Sequence, residues 1–411
     1  MTDTPLAGIR VLAMEQAVAL PFATRHLADL GAEVIRVQSH KRGIQSLAEI
    51  DLTRNKRQLA IDLATEGGPE AFRRVAASCD IVAHNYTPRV VRQFGIDYAS
   101  IRAVKPDVIY VSLTGFGTTG PWGERPLFGP GAEAVAGHNE VIGDGSGWAG
   151  RPGTIVYADS MCGLNTTFAM LAAIDEHQRT GRGQHIDISL YETAVSNLGP
   201  VMAARGMGVQ PRRFGNADLT FALHGVFTCA GLDRHVALAV RPGQEGALGE
   251  ALGIAEATET AVSAALRGRD AAATAALLQG HGIAAAVTAD ASDLAMDPHL
   301  WERGYFGIAD RTLPGIAGHY PHEGPAWGHG PGVPLEESRP VGADTRAILA
   351  TLGGLTETEI DALYESGAAG TVPAPPIATH PADHQTRIDR GELSRVDAAH
   401  DGWRALAEGA R

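Results

Sequence analysis

The sequence predicts an α/β protein: a Rossmann-like open parallel sheet covered by helices, followed in the chain by a smaller α+β domain. Short β-branched runs alternate with helix-periodic runs through the first half, a spacing that makes right-handed βαβ units with parallel strands. The chain has 411 residues, more than one ordinary core accommodates, so two domains are expected. Hydrophobic residues make up 44% and charged residues 20%, the balance of a soluble globular protein.

Residues 9–13 read as a buried strand. A loop follows, with Pro21 at a first helical position and a helix running to Leu30 before Gly31. Residues 33–37 are the next strand. Residues 70–78 read as a helix, 80–83 as a strand, 89–94 as a short helix and 108–112 as a strand. Residues 154–157 are strand-like and give way to a long helix. In that helix Met161, Leu164, Phe168 and Leu171 recur at helical spacing, and Gly181 and Gly183 close it. Residues 185–189 are again a strand.

The character then changes. Residues 225–228 and 235–240 form an antiparallel pair around the turn 230–233, alanine-rich helices follow to about Gly280, and 283–287 are a strand. Residues 306–340 are rich in Gly, Pro and His and read as a loop returning to the first domain. Residues 345–352 and 356–365 are helices, 367–380 a flexible linker, and the remainder a polar tail with a helix over 395–406. The expected division is a large domain over 1–214, a small α+β domain over 215–305, a return segment over 306–368, and linker and tail over 369–411.

The net charge of −13 argues against nucleic acid or an anionic membrane as the main partner. Cys79, Cys162 and Cys229 are too far apart for a disulfide framework or a zinc motif, which fits a reducing cytoplasm. No run of about 18 apolar residues exists, so no spanning helix is expected, and the opening residues lack the features of a signal peptide.

The first βα turn, Gln16-Ala17-Val18-Ala19-Leu20-Pro21, lacks the glycines that let a pyrophosphate approach, so NAD and FAD are disfavoured there. The turn is either an ordinary connection or the edge of a nucleotide-like site at the strand ends. Gly115-Phe116-Gly117-Thr118-Thr119-Gly120 follows a strand. It is either a plain turn or a loop whose backbone approaches a bound thioester. The 16 histidines include no His-Glu-x-x-His, and His319, His322 and Glu323 fall in the loop-like stretch, so no metal site is expected. No Gly-x-Ser-x-Gly elbow is present. Asp159 opens the long helix, either as a cap for its backbone N–H groups or as a catalytic carboxylate.

Four stretches together resemble the family III CoA-transferases, which include formyl-CoA transferase, carnitine CoA-transferase and α-methylacyl-CoA racemase. They are Pro5-Leu6-Ala7-Gly8-Ile9-Arg10-Val11-Leu12 with residues 28–37, Arg54-Asn55-Lys56-Arg57-Gln58-Leu59 onward, Asp80 to Pro88 continuing to Thr114-Gly115-Phe116-Gly117, and Thr180-Gly181-Arg182-Gly183-Gln184-His185 to Ser189. The match is good over residues 5–200, looser to 365, and absent after about 370.

The resemblance implies that Asp159 is the family's catalytic aspartate. It implies that coenzyme A, supplied as acyl-CoA, meets Ala17, Val18, Ala19, Asn85 and Tyr86, with Gln93 and Phe94 one helix further on. Arg42, in the cluster His40-Lys41-Arg42, is either a phosphate contact or part of a solvated charge run. Gly115, Gly117 and Phe128 fall to the substrate pocket. The second substrate is a small carboxylic acid, and the family architecture is an interlocked homodimer. Amides at the start of the long helix would stabilise oxyanions and favour the ionised aspartate. The racemase branch needs a histidine where this chain has Phe128, which cannot move a proton, and His138 stands ten residues further on. The glycine-rich loop of formyl-CoA transferase has no match near residues 213–216, which disfavours oxalate and formate. The alternatives to transfer are an acyl-CoA racemase or isomerase and a catalytically silent acyl-CoA-binding subunit.

Overall fold

The computed structural model describes residues 4–41, 47–143, 150, 156–210, 212–311, 318–324, 335–372, 384–390 and 402–409. They divide into two compact units, one of Met1–His138, Pro152–Met202 and Pro298–Arg411, the other of Asn139–Arg151 and Ala203–Asp297.

The first unit is built on a six-stranded sheet whose pairs are all parallel. Its strands are β1 (Arg10–Met14), β2 (Glu33–Gln38), β3 (Lys56–Ala60), β4 (Ile81–His84), β5 (Ile109–Thr114) and β6 (Gln184–Ser189), in the order β3-β2-β1-β4-β5-β6. The helices up to the crossing into the second unit are α1 (Ala19–Asp29), α2 (Leu47–Leu52), α3 (Gly68–Ala76), α4 (Pro88–Gln93), α5 (Tyr98–Val104), α6 (Gly129–Ala136), α7 (His138–Val141), α8 (Tyr157–Thr180), α9 (Leu190–Ser196) and α10 (Gly199–Gly206). Successive side chains of a strand point to opposite faces, and both faces here are covered. Leu12, Ile35, Val82 and Tyr110 pack with Phe72 and Val75 of α3, while Val11, Val34, Ile81 and Ile109 pack with Leu20 and Leu27 of α1 and Met170 of α8. Strand order reverses between β1 and β4, so the loops leaving their carboxyl ends part and open a crevice.

Several elements differ from the sequence reading. Helix α1 begins at Ala19, two residues before Pro21. Proline costs nothing there, because first-turn amides have no intrahelical acceptor. Tyr157 is the first residue of α8 rather than the end of a strand, and Thr154 and Ile155 lie outside the described residues. The face that α8 packs inward is made of small residues, including Ala158, Cys162, Gly163, Thr166 and Thr167. A Cβ on Gly163 would lie 2.7 Å from the Ala19 carbonyl oxygen, so α1 and α8 cross in near contact. The expected apolar stripe is split: Phe168 is 74% and Leu164 40% exposed, while Met161 is half-buried and Leu171 packs against the core.

Strand β3 has a polar sequence and was not expected as a strand. It is held by charges satisfied in the interior. Lys56 Nζ lies 2.6 Å from Glu15 Oε1, 2.7 Å from Thr24 Oγ1 and 2.9 Å from the Pro21 carbonyl, and both Lys56 and Glu15 side chains are fully buried. Burial pushes the Lys56 pKa down to about 8 despite Glu15. Arg54 makes a two-pronged contact with Asp29, at 2.6 and 3.2 Å.

The second unit carries the antiparallel sheet β7 (Leu223–Thr228), β8 (His235–Val240) and β9 (Ala284–Val287). With it go α11 (Glu245–Leu252), α12 (Glu259–Leu266), α13 (Ala271–Gly280) and α14 (Ala291–Ala295). Phe227, Val236, Leu238, Leu248, Leu266 and Leu278 form its core.

The chain then returns to the first unit with α15 (Pro298–Glu302), β10 (Phe306–Arg311), β11 (Gly318–Glu323), α16 (Thr345–Thr351), α17 (Glu357–Glu365), α18 (His384–Asp389) and α19 (Trp403–Gly409). The stretch expected as a loop thus contains the antiparallel hairpin β10–β11. The expected linker starts packed: Ala368 and Ala369 are buried, and Asp62 N–H donates to the Ala368 carbonyl at 2.8 Å. Residues 373–380 of that linker lie outside the described residues. Residues 395–401 of the expected tail helix lie outside the described residues, and α19 opens on Trp403, which is buried and stacks on Trp301 with centroids 5.9 Å apart. No helix among the described residues is long and apolar enough to cross a membrane.

Replacing Lys56 by Met leaves Glu15 buried beside one fewer cation. Urea unfolding is expected to show a loss of about 3–5 kcal/mol. Arg179→Ala, which removes an exposed pair with Asp175 on α8, should leave the unfolding midpoint unchanged.

Candidate active site

The loops after β1, β4 and β5, with the first turns of α6 and α8, enclose a cavity of about 190 Å³ at the carboxyl edge of the sheet. Seven of the residues expected from sequence line it: Ala17, Ala19, Asn85, Tyr86, Gly115, Phe128 and Asp159. Gln16, Thr114, Leu127 and Leu190 line it as well and were not foreseen. Val18 is the residue before α1 and is not part of the wall. Gln93 ends α4 and Phe94 follows it, packing on the sheet core rather than the cavity. Gly117 lies further along its loop, where the next residue, Thr118, donates its N–H to Asp187. Arg42 lies outside the described residues, and its neighbour Lys41 pairs with Asp62 at 2.5 Å.

Asp159 sits in the first turn of α8, buried, three residues after Val156. The backbone N–H groups of Ala19 and Gly129 lie close enough to its carboxylate to favour the ionised form. Ala19 is the first residue of α1 and Gly129 the first of α6. Three helix starts therefore converge on one carboxylate, each bringing the positive end of a backbone dipole. Gly129 is required for the approach, because a Cβ there would lie 1.8 Å from Asp159 Oδ2. The second carboxylate nearby is Glu133 of α6, fully buried, with Oε1 accepting the Ala158 N–H at 3.3 Å.

The amides were expected to favour the ionised form of Asp159. The balance runs the other way: burial raises its pKa from 3.8 to about 6 and the charge of Glu133 adds to the rise, with the two N–H donors opposing. The sequence held one sign of Glu133, a lone acid in the small apolar run Gly131-Ala132-Glu133-Ala134-Val135.

The first βα turn is held by a side chain from the neighbouring strand. Asn85 Nδ2 donates to the Gln16 carbonyl at 2.7 Å, and Asn85 Oδ1 accepts from the Gln16 N–H at 3.0 Å. Ala17, next in the chain, has φ +57°, a left-handed conformation that costs a non-glycine residue about 1–2 kcal/mol. Thr114, at the end of β5, has a buried hydroxyl with no hydrogen-bond partner among the described residues, and lines the same cavity.

Away from the cavity, Asp51, His322 and Glu323 bring three ligand-type atoms within 4.8 Å of one another. Contrary to the sequence reading, a strand fixes them, since His322 and Glu323 end β11. Two guanidinium groups occupy the cation role: Arg54 Nη1 is 2.8 Å from His322 Nδ1, and Arg25 Nη1 is 2.6 Å from Glu323 Oε1. Burial alone would raise Glu323, but the His322 hydrogen bond and the Arg25 and Arg54 charges hold it at about 2.

The family model described as CoA-transferase family III matches residues 6–345. Succinyl-CoA:glutarate CoA-transferase of Mus musculus is 33% identical over 226 residues, 52% of this chain and 52% of the relative. Succinate–glutarate CoA-transferase of Agrobacterium fabrum is 32% identical over 283 residues, 62% of this chain and 69% of the relative. The matches to the mouse and human relatives span about half the length of those proteins. Among solved structures, a CAIB/BAIF family protein from Brucella suis superposes with a TM-score of 0.73 at 28% identity, covering 85% of this chain and 99% of that one.

A carboxylate whose folded pKa lies above its unfolded value contributes stability that is complete below about pH 4 and is lost as pH rises through 6. Asp159→Asn mimics the neutral acid. It is expected to exceed the parent in stability by about 1–3 kcal/mol at pH 8 and to match it near pH 4, read by urea melts at the two pH values.

Proposed function

The chain belongs to CoA-transferase family III, and on that premise we propose that it moves coenzyme A from an acyl-CoA thioester to a small free carboxylic acid, with Asp159 as the covalent carrier. The observation that supports this most is a buried, titratable carboxylate held by two backbone donors on the wall of a small cavity.

In this reading an oxygen of ionised Asp159 attacks the thioester carbonyl carbon, the C–S bond breaks, and CoA leaves as thiolate. The product is a mixed anhydride. The thiolate then attacks Asp159 Cγ, expelling the donor as its carboxylate and leaving an aspartyl-CoA thioester. The acceptor carboxylate attacks that same carbon, forming a second anhydride and releasing thiolate again. Attack of the thiolate on the acceptor's carbonyl yields the new acyl-CoA and restores Asp159. The Ala19 and Gly129 N–H groups, which already favour the charged carboxylate, follow the charge that builds at each tetrahedral stage. Glu133 contributes through charge: acylation makes Asp159 neutral and relieves its repulsion with a buried neighbour.

We assign coenzyme A to the crevice lined by Ala17, Ala19, Asn85 and Tyr86, with Val18, Gln93 and Phe94 as neighbouring candidates outside its wall and Arg42 as a candidate phosphate contact. The acyl group and acid fall to Phe128, Gly115 and Gly117. The dicarboxylates named for the mouse and Agrobacterium relatives are the first acids to try. Neither position 128 nor His138 offers Asp159 a partner for proton transfer at the acyl α-carbon. Phe128 lines the cavity, and His138 is buried with Nε2 2.9 Å from the Ala194 carbonyl. The exposed Leu164 and Phe168 on α8 support a homodimer, and the three buried, unpaired thiols suit a reducing cytoplasm.

Intact-mass spectrometry after mixing with a panel of acyl-CoAs should show a covalent acyl or CoA adduct on the parent protein, mapped to the peptide holding Asp159, and none on Asp159→Asn. No adduct, with solvent deuterium entering the acyl α-carbon, would establish the racemase or isomerase chemistry instead. Bound acyl-CoA with neither signal would mark a silent subunit. The rate of adduct formation should fall about tenfold per pH unit below 6, as Asp159 gains its proton. Gly129→Ala should slow it about a hundredfold by displacing the carboxylate.

A further inference from the structure

We infer that Asn85 is a positioning residue, whose side-chain amide locks the β1–α1 turn so that the Ala19 N–H is held beside Asp159. The inference rests on the reading of Asp159 as the acyl carrier, but its first test does not.

Strands β1 and β4 are parallel neighbours, with Met14 opposite His84. Beyond that pair the sheet ends and the two loops part, one towards α1 and the other towards α4. Past it the main chain contributes one further, long bond. Asn85 replaces the missing ladder with its side chain, as donor and acceptor to the same residue, Gln16, at 2.7 and 3.0 Å. The main chain of Asn85 adds a bond from its N–H to the Met14 carbonyl at 3.3 Å. On the other side, Tyr86 N–H meets His84 Nδ1 at 3.3 Å, so the turn after β4 is itself anchored.

With Gln16 fixed, Ala17 takes φ +57° and the chain reverses into α1 within two residues, presenting the Ala19 N–H to Asp159. An alanine prefers to leave the left-handed region, so the turn needs an external hold. Asn85 supplies it. Its amide oxygen and one of its N–H groups are already engaged by Gln16, which makes a role as a direct ligand contact secondary. A glycine at position 17 would occupy the left-handed conformation without that hold.

Infrared difference titration against Asp159→Asn reads the Asp159 carboxylate directly, without turnover. Withdrawing the Ala19 N–H, which favours the ionised form, should raise its midpoint by about half a unit to one unit in Asn85→Ala. Asn85→Leu, close in shape and uncharged, removes both bonds to Gln16 and should do the same; it serves if Asn85→Ala does not fold. Glu133 and Cys162, the titratable groups that face Asp159 from α6 and α8, are unchanged in both. Adding Ala17→Gly to Asn85→Ala should return the midpoint towards the parent value. In turnover, kcat should fall tenfold or more with KM for acyl-CoA changed less than about threefold.

An unmoved Asp159 midpoint in the folded variants, with KM raised and kcat kept, would overturn the inference and make Asn85 a ligand contact. So would the absence of any rescue by Ala17→Gly. Should the parent protein form no adduct with any acyl-CoA, the transfer reading fails, while the titration still decides whether Asn85 positions the turn.

Discussion

A carboxylate taken out of water must be given hydrogen bonds, and much of the first unit is arranged around that requirement at Asp159. The donors do not come from its own helix. They come from the opening residues of α1 and α6, helices that follow β1 and β5, the strands on either side of β4. For those amides to arrive, α1 must cross α8 at Gly163 with no side chain between them, and α6 must start on a residue without Cβ. The small inward face of α8 follows from the same demand for close approach. Dipoles fixed before the reaction need no reorganisation during it, which is where such a site gains over water.

A second set of constraints holds the parallel sheet at its β3 edge. Charges that would normally seek solvent are buried in matched groups, with Lys56 on Glu15 and Arg54 on Asp29. Buried pairs of this kind add little net stability but penalise every arrangement that separates them. Glu15 directly precedes Gln16 and so ties the register of β1, α1 and β3 to the turn that carries the site. The hairpin β10–β11 enters the same network through His322 and Glu323. A segment distant in sequence is thereby fixed against the sheet by charge rather than by apolar packing.

The central strands were legible because a strand buried on both faces reads as a continuous apolar run, as in Val11-Leu12-Ala13 and Ile81-Val82-Ala83. Strand β3 and hairpin β10–β11 were not, because their polar residues are satisfied by partners far away in sequence, 41 residues for Lys56 and Glu15 and 268 for Arg54 and His322. Asp159 stood out by family resemblance, and Ala17, Ala19, Asn85, Tyr86, Gly115 and Phe128 do gather around it in one cavity. The two N–H donors left no trace, since a backbone amide carries no residue signature. The direction of the Asp159 pKa was missed for a related reason: its sign depends on burial and on Glu133, both properties of tertiary contact. Periodicity located the apolar stripe of α8 but says only how residues are spaced, not which face this chain covers.

The close approach of Gly129 to Asp159 also shapes how the sequence can vary. Positions 129 and 159 are not independent. While 159 carries a carboxylate bonded to the backbone at 129, every side chain at 129 collides with it. A lineage that lost the carboxylate would remove the main barrier to alanine or serine there, leaving Val156 Cγ1, 2.9 Å from such a Cβ, as the remaining one. A chain with Asp at 159 and a larger residue at 129 would have had to move the start of α6 first. The pair therefore records, in two letters far apart in the sequence, whether a chain of this fold still keeps its buried carboxylate in place.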